Sequence, residues 1–314
     1  MPAMDEGENR AMCSAQAVAV GPWREAALPW PALEAFVVAN ALPRLSADPL
    51  WILNALVADR GKVLVALVAG RPCAVAALVD AGEAGSGAAE LLLLAALPGQ
   101  ADAALAVALA AAAEPLTDAP GLELTLAGPL AAAEPALRAV GFVPAYTAFE
   151  MRAGPLCGGL PASIPAGFAW SDLGPDSIDA YEAAVRDAFA GAPGVRLPPP
   201  AVLQGAALRH RPPIRLLRCG EAVAGFVRVG LAADGTGRIE LVGRRRGHRG
   251  RGLGRCLLDE GMEQLRRAGA GSIGLEVVAG NGRALALYRA AGFSVAEETR
   301  TLVKPLARSG GGRS

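Results

Sequence analysis

Residues 249–254 read Arg-Gly-Arg-Gly-Leu-Gly and fall where an apolar, strand-like run (239–243) gives way to a stretch of helical character (251–268). Several glycines at a strand-to-helix turn let backbone N–H groups converge on one point. A helix N-terminus adds unpaired donors and a partial positive charge. Such a turn holds phosphate or pyrophosphate. Arg249 and Arg251 bring full positive charge to the same place, and Gly250, Gly252, Leu253 and Gly254 supply the backbone. The first chemistry this chain offers is therefore the binding of a phosphorylated ligand.

The elements that must position such a ligand can be read on either side. Residues 272–278, Ser-Ile-Gly-Leu-Glu-Val-Val, alternate like a strand, with Ile273, Leu275 and Val277 on one face and Gly274, Glu276 and Val278 on the other. Asn281 is a good helix cap, and Gly292 a helix stop, so a helix is expected over 282–291.

Two blocks together resemble the GNAT superfamily of acyl-CoA-dependent N-acyltransferases. The family's Arg/Gln-x-x-Gly-x-Gly/Ala is present as Arg249, Gly252 and Gly254. Its Asn-x-x-Ala-x-x-Leu-Tyr-x-x-x-Gly-Phe is present as Asn281, Ala284, Leu287, Tyr288, Gly292 and Phe293. The resemblance covers about residues 168–304. One departure stands out: the family's Val-x-Pro before the turn is replaced by Arg244, Arg245 and Arg246, which are expected to enrich the phosphate surroundings.

The resemblance implies acetyl-CoA as cosubstrate. The turn at 249–254 would hold its pyrophosphate. The main chain of Leu241, Val242, Gly243 and Arg244 would pair with the pantetheine arm and polarise the thioester carbonyl. Asn281 would cap its helix and hydrogen-bond the cosubstrate. Tyr288 would be the general acid for the departing thiolate. Two carboxylates compete as base for the amine. Glu276 sits in a Leu-Glu-Val…Asn…Leu-Tyr arrangement similar to that of ribosomal-protein N-terminal alanine acetyltransferases. Glu240 sits where many members place theirs. Cys256, in the helix after the turn, is read as packing.

The first half resembles a worn copy of the second. Residues 64–78 and 214–228 both read as strand, turn and strand. At an offset of 150, Glu90 falls on Glu240; at 151, Leu137-Arg-Ala-Val-Gly-Phe142 falls on Tyr288-Arg-Ala-Ala-Gly-Phe293. The glycine-rich turn aligns with Gly-Gln-Ala-Asp-Ala-Ala at 99–104, Thr125 falls on Glu276 and Leu137 on Tyr288. The copy has lost the phosphate turn and its polar candidates, while Glu90 hints that Glu240 is structural. The expected fold is α/β: two tandem GNAT-like domains, each a mixed central sheet flanked by helices. The expected bounds are 1–152 for the degenerate domain, 153–167 for a Gly/Pro-rich linker, 168–307 for the catalytic domain and 308–314 for a disordered tail. A helix at 181–189, a proline-rich turn at 197–200 and a helix to about 209 would shape the acceptor pocket. The tandem plan resembles mycothiol synthase-like GNAT proteins in outline, with no motif that fixes that substrate.

Composition narrows the alternatives. The 314 residues carry no net charge, but residues 1–155 hold 8 Lys and Arg against 16 Asp and Glu, and residues 156–314 hold 22 against 14. The basic half carries the turn, which suits an anionic cosubstrate. No aromatic platform accompanies the charge, which argues against nucleic acid. Five cysteines without Cys-x-x-Cys spacing and two histidines argue against a disulfide framework or a metal site. The acidic start lacks a signal peptide, and the apolar stretch at 91–113 is interrupted by Pro98, Gly99, Gln100 and Asp102, reading as a strand and an alanine-rich helix rather than a membrane span. A cytoplasmic enzyme is expected; its tandem domains could make a monomer sufficient, and the sequence leaves the oligomeric state open. It would acetylate a primary amine on a small molecule, a protein N-terminus or a lysine by direct attack in a ternary complex. The alternative is a catalytically weak acyl-CoA-binding sensor or scaffold.

Overall fold

The computed structural model describes residues 18–26, 28–40, 62–79, 87–154, 164–192, 213–231 and 235–306. The proline-rich turn at 197–200, the helix expected after it and the tail at 308–314 lie outside them. The chain forms two compact units.

The first unit is built on β1 (Val18–Pro22), α1 (Trp30–Asn40), β2 (Val63–Val68), β3 (Arg71–Val79), β4 (Ala89–Ala96), α2 (Ala103–Ala113), β5 (Gly121–Leu126) and α3 (Glu134–Ala139). Its strands lie in the order β1 to β5, followed by residues 302–305 from the chain's last strand. β2 and β3 form the expected hairpin. Ala69 and Gly70, at φ 51° and 75°, make its two-residue turn, the left-handed pair that matches strand twist. The strands are apolar throughout because both faces are covered. Val63 and Val65 pack with Leu33 and Val37 of α1; Leu64 and Ala66 pack with Leu105 and Leu109 of α2. Leu302 is buried in the same core, and Lys304 Nζ lies 2.6 Å from Glu114 Oε1.

The second unit comprises β6 (Val143–Ala153), β7 (Ala169–Asp172), α4 (Ile178–Phe189), β8 (Arg215–Cys219), β9 (Ala222–Leu231), β10 (Thr236–Arg244), α5 (Leu253–Arg267), β11 (Ser272–Val278), α6 (Gly282–Ala290) and β12 (Ser294–Pro305). β6 counts here from residue 145 and β12 up to residue 301. The strand order is β7-β8-β9-β10-β11-β6-β12, with β10 and β11 parallel. One face carries α5 and α6, packed on Val227, Val229, Ile239, Leu275 and Val277. The other carries α4, whose Tyr181, Ala184 and Val185 pack on Leu216 and Phe226.

The two units repeat one plan: hairpin, strand, helix, parallel strand, helix. Both copies end the last helix in the same way. The Phe142 amide donates to the Leu137 carbonyl at 3.1 Å and the Phe293 amide to the Tyr288 carbonyl at 3.0 Å, each around a left-handed glycine, Gly141 at φ 97° and Gly292 at φ 92°.

Two expectations change. The division at 153–167 follows the repeats, not the compact units. The strand that closes the first repeat, β6, pairs with β11 in the second unit (Leu275↔Met151, Val277↔Phe149), and residues from 302 onward count with the first unit. Each unit takes a closing strand from the other repeat, a pairing at long sequence separation that no local pattern encodes. Glu90 is also not the counterpart of Glu240. It sits inside the parallel ladder, paired with Glu123, whereas Glu240 lies one residue beyond the last parallel pair, Ile239↔Leu275, at a bulge. Twelve residues run from Leu91, the last pair in β4, to Ala103, and fourteen run from Ile239 to Leu253. The offset of 150 therefore holds at the helix starts and fails in the strands. The residue one beyond the last pair in β4 is Leu92.

Candidate active site

β10 and β11 pair from Thr236↔Ser272 to Ile239↔Leu275 and then part. β10 continues along β9 as far as Arg244↔Gly225, and β11 along β6 as far as Val278↔Ala148. The bulge at Glu240 turns β10 away. Leu241, Val242, Gly243 and Arg244 therefore line a gap inside the sheet, with main-chain groups on the β11 side that no strand among the described residues takes up. Such an edge can receive an extended amide-bearing arm, since backbone N–H and C=O groups away from water demand partners.

The turn at 249–254 follows β10. Gly250 and Gly252 have φ of 79° and 73°, with open space where a Cβ would stand. Gly252 is the N-cap of α5 and offers no side-chain cap. Among the described residues, no acceptor takes the backbone N–H groups of 250–254. The first unit differs at this point. Asp102 caps α2, accepting from the Leu105 amide at 2.8 Å, so a carboxylate already occupies the helix start. Arg249 and Arg251 are exposed, and the Arg244 guanidinium lies 3.7 Å from the Cβ position of Gly254. The run at 244–246 does not act as one cationic patch. The Arg246 amide donates to Asp187 Oδ2 and its Nη2 to the Ala190 carbonyl, both at 2.7 Å, and Arg245 lies 3.9 Å from Asp187. These two arginines fasten the turn to the end of α4 instead of enriching a phosphate site.

Tyr288 projects from α6 into the core shared by α5 and β11, 8% exposed, its ring 6.1 Å from that of Phe293. Burial pushes its phenol up to about 12. Asn281 caps α6, accepting from the Ala284 amide at 3.2 Å. Cys256 is buried beside Leu217, Ala224 and Leu257, and burial pushes its thiol up, consistent with packing. Cys73, Cys219 and Cys256 are free thiols.

The two glutamates flank the mouth of the gap on the α4 face. Glu276 is exposed, the first residue of β11 beyond the last parallel pair, and stands across from Glu150 of β6. Glu240 is held down: Oε2 lies 2.8 Å from Arg228 Nε, and its side chain lies over Gly230 of β9. Next to it, Arg238 forks onto Glu150 at 2.8 and 3.0 Å, crossing Gly274, where a Cβ would come within 2.9 Å of Glu150 Oε1. Tyr181 of α4 is fully buried above this cluster, and its hydroxyl has no hydrogen-bond partner among the described residues. Burial pushes the Tyr181 phenol up, Arg228 pulls it back, and Glu240 pushes it up again. Arg228, Arg238, Glu150 and Tyr181 escaped the sequence reading. The signal for Arg228 was there, a lone charge in the apolar run 222–231.

Residues 180–293 match the model of the acetyltransferase (GNAT) family. The GCN5-related N-acetyltransferase from Sphaerobacter thermophilus superposes with a TM-score of 0.67 at 20% identity, over 92% of this chain and 96% of that one. A tandem GNAT protein from the clavulanic acid biosynthesis pathway superposes at 0.64 and 18%, over 93% of this chain and 100% of that one. These two likenesses are of fold, and the family match itself lies at residues 180–293. A stretch of 78 residues, 25% of the chain, is 41% identical to the mycothiol acetyltransferase of Corynebacterium glutamicum and spans 27% of its length.

GNAT proteins use acetyl-CoA, and the residues present fit it. An uncapped helix start with two left-handed glycines suits a pyrophosphate, and the free edge of β10 suits the amides of a pantetheine arm. Among the described residues, no group of three or more His, Cys, Asp or Glu could hold a metal ion, and no helix is long and apolar enough to cross a membrane.

Proposed function

We propose that the second unit is an acetyl-CoA-dependent N-acetyltransferase acting on a primary amine by direct attack in a ternary complex. The observation that carries this reading is the gap beyond Ile239↔Leu275, with an uncapped helix start beside it. Acetyl-CoA, when bound, supplies the acetyl thioester. Gly250, Gly252 and Gly254 offer backbone donors to its phosphates, with Arg249 and Arg251 adding charge, and residues 241–244 align the arm and polarise the carbonyl.

Tyr288 is the donor to sulfur. A phenol at about 12 stays protonated at neutral pH. Full transfer to a thiolate whose acid titrates near 8.5 would be uphill by about 5 kcal/mol. Tyr288 therefore stabilises the charge developing on sulfur through a hydrogen bond that tightens as the C–S bond breaks. A primary ammonium titrates near 10, so a base assists attack. Glu276 is the better placed carboxylate because it is exposed at the mouth of the gap, whereas the Glu240 side chain lies back over Gly230 of β9.

The test is acetyl-CoA turnover over a panel of primary amines, headed by mycothiol-related ones because of the 41%-identical relative, with Tyr288→Phe and Glu276→Gln. Each variant should lower kcat about 10²-fold or more while keeping the thermal stabilisation by acetyl-CoA. Stabilisation without turnover on any amine would instead make the protein an acyl-CoA sensor. No stabilisation would remove both readings.

A further inference from the structure

One ion pair on the α4 face spans three strands, and it does so where the gap closes. Arg238 of β10 reaches across Gly274 of β11 and forks onto Glu150 of β6, at 2.8 and 3.0 Å. Arg238 pairs with Gly274, one rung below the last parallel pair, Ile239↔Leu275, whereas Glu150 stands opposite Glu276, one residue beyond it. The fork therefore runs obliquely over the closed end of the gap. Its side chains are only 20% and 13% exposed, so salt screens the pair little. The crossing needs a glycine: a Cβ at 274 would stand 2.9 Å from Glu150 Oε1 and 3.8 Å from Arg238 Nη1. The corresponding rung of the first unit, below Leu91↔Leu124, pairs Glu90 with Glu123. It offers two carboxylates in place of an arginine and a glycine.

The place of the fork bears on the acyl group. The glycine-rich turn lies beyond the other end of the gap, after Arg244. A cosubstrate anchored there by its phosphates would run its arm along Arg244, Gly243, Val242 and Leu241, with its acyl end toward Ile239↔Leu275. A chain longer than acetyl that leaves the gap on the α4 face would then meet the fork. Guanidinium and carboxylate hold each other in a bidentate pair, the strong form of this interaction. Methylenes pressed onto it would strip water from charged groups, which costs free energy. We propose that the Arg238–Glu150 fork is a specificity-determining stop: it admits acetyl and resists longer acyl chains. This rests on the acyl-CoA reading of the gap and does not depend on the acceptor amine.

Calorimetry with CoA, acetyl-CoA and butyryl-CoA on the full chain tests it without any amine. Wild type should bind acetyl-CoA about tenfold or more tightly than butyryl-CoA, the difference being two methylenes. Arg238→Ala/Glu150→Ala removes both charges together and leaves neither unpaired. In it that ratio should fall to about threefold or less, with CoA and acetyl-CoA affinities within about threefold of wild type. Arg238→Lys keeps the charge and gives up the fork, and should lower the ratio about twofold to threefold; it carries the test where the double variant does not fold. Wild type that binds the two acyl-CoAs equally overturns the proposal. So does an unchanged ratio in a folded variant. A loss of affinity for all three ligands with a lower thermal midpoint and the ratio kept also overturns it, leaving the fork a structural tie alone. Wild type that binds none of the three removes the acyl-CoA reading itself; wild type that binds acetyl-CoA beside variants with an unmoved ratio removes this inference alone.

Discussion

Tyr288 carries a cost that its surroundings set. The phenol titrates near 10 in an unfolded chain and at about 12 in the fold, through burial alone. A raised value means that the folded state binds the proton more tightly. The stability this contributes is fully present below pH 10 and is lost as pH rises from 10 to 12, on the order of 3 kcal/mol for two units. In alkaline unfolding monitored by circular dichroism, Tyr288→Phe should lose less stability between pH 10 and 12 than wild type. Some loss should persist, because burial raises Tyr181 in the same direction. An identical alkaline slope in both proteins would mean that Tyr288 is not desolvated as described. At this scale the sequence was legible where structure is punctuated in one gapless block: Asn281 caps α6, and Gly292 and Phe293 end it, as their types and spacing imply. It was opaque for Glu240. Arg228 and Gly230 lie twelve and ten residues away in the chain and meet Glu240 only through the register of β9 on β10, which the bulge at Glu240 shifts by one.

The two helix starts show how an anion site is made or closed at the level of an element. α5 begins with glycines in the left-handed region and open donors. α2 begins with Asp102, whose carboxylate satisfies the Leu105 amide and places negative charge where a phosphate would go. Asp102→Ala should cost about 1 kcal/mol in denaturant unfolding and leave acetyl-CoA affinity unchanged. Gly252→Ala should also cost about 1 kcal/mol, because alanine resists the left-handed region, but should weaken acetyl-CoA binding several-fold in calorimetry. Equal effects of the two on acetyl-CoA would contradict the assignment of the site to α5. Helix bounds were readable from this punctuation, since Gly, Asp and Asn act locally. The strand offset misled because two extra residues between Ile239 and Leu253 cancel out only at the helix start.

At the scale of the molecule, repeat and folding unit are different things, and that difference can be measured. β11 lies between β10 and β6, and beyond Leu275 it has left β10 and keeps only β6 as a partner, through Glu276↔Glu150, Val277↔Phe149 and Val278↔Ala148. Met151, with no exposed surface, and Ala153 complete the core beneath α5 and α6. A fragment of residues 168–307, the second repeat as its sequence bounds it, lacks that strand. It would leave the strand bearing Glu276 with an open edge, and an open edge pairs with other chains. Losing the buried Met151 side chain alone removes contacts of the kind that cost about 2–5 kcal/mol when truncated to alanine, against the roughly 5–15 kcal/mol that holds a domain folded. The fragment 168–307 should therefore aggregate or melt without a cooperative transition and should not respond to acetyl-CoA. The fragment 145–306 restores β6 and should melt cooperatively at a midpoint that acetyl-CoA raises. A cooperative, acetyl-CoA-stabilised transition from 168–307 would show that the second repeat folds without the strand that closes the first. The exchange of closing strands would then be dispensable to the site rather than the reason the gap between β10 and β11 keeps its shape.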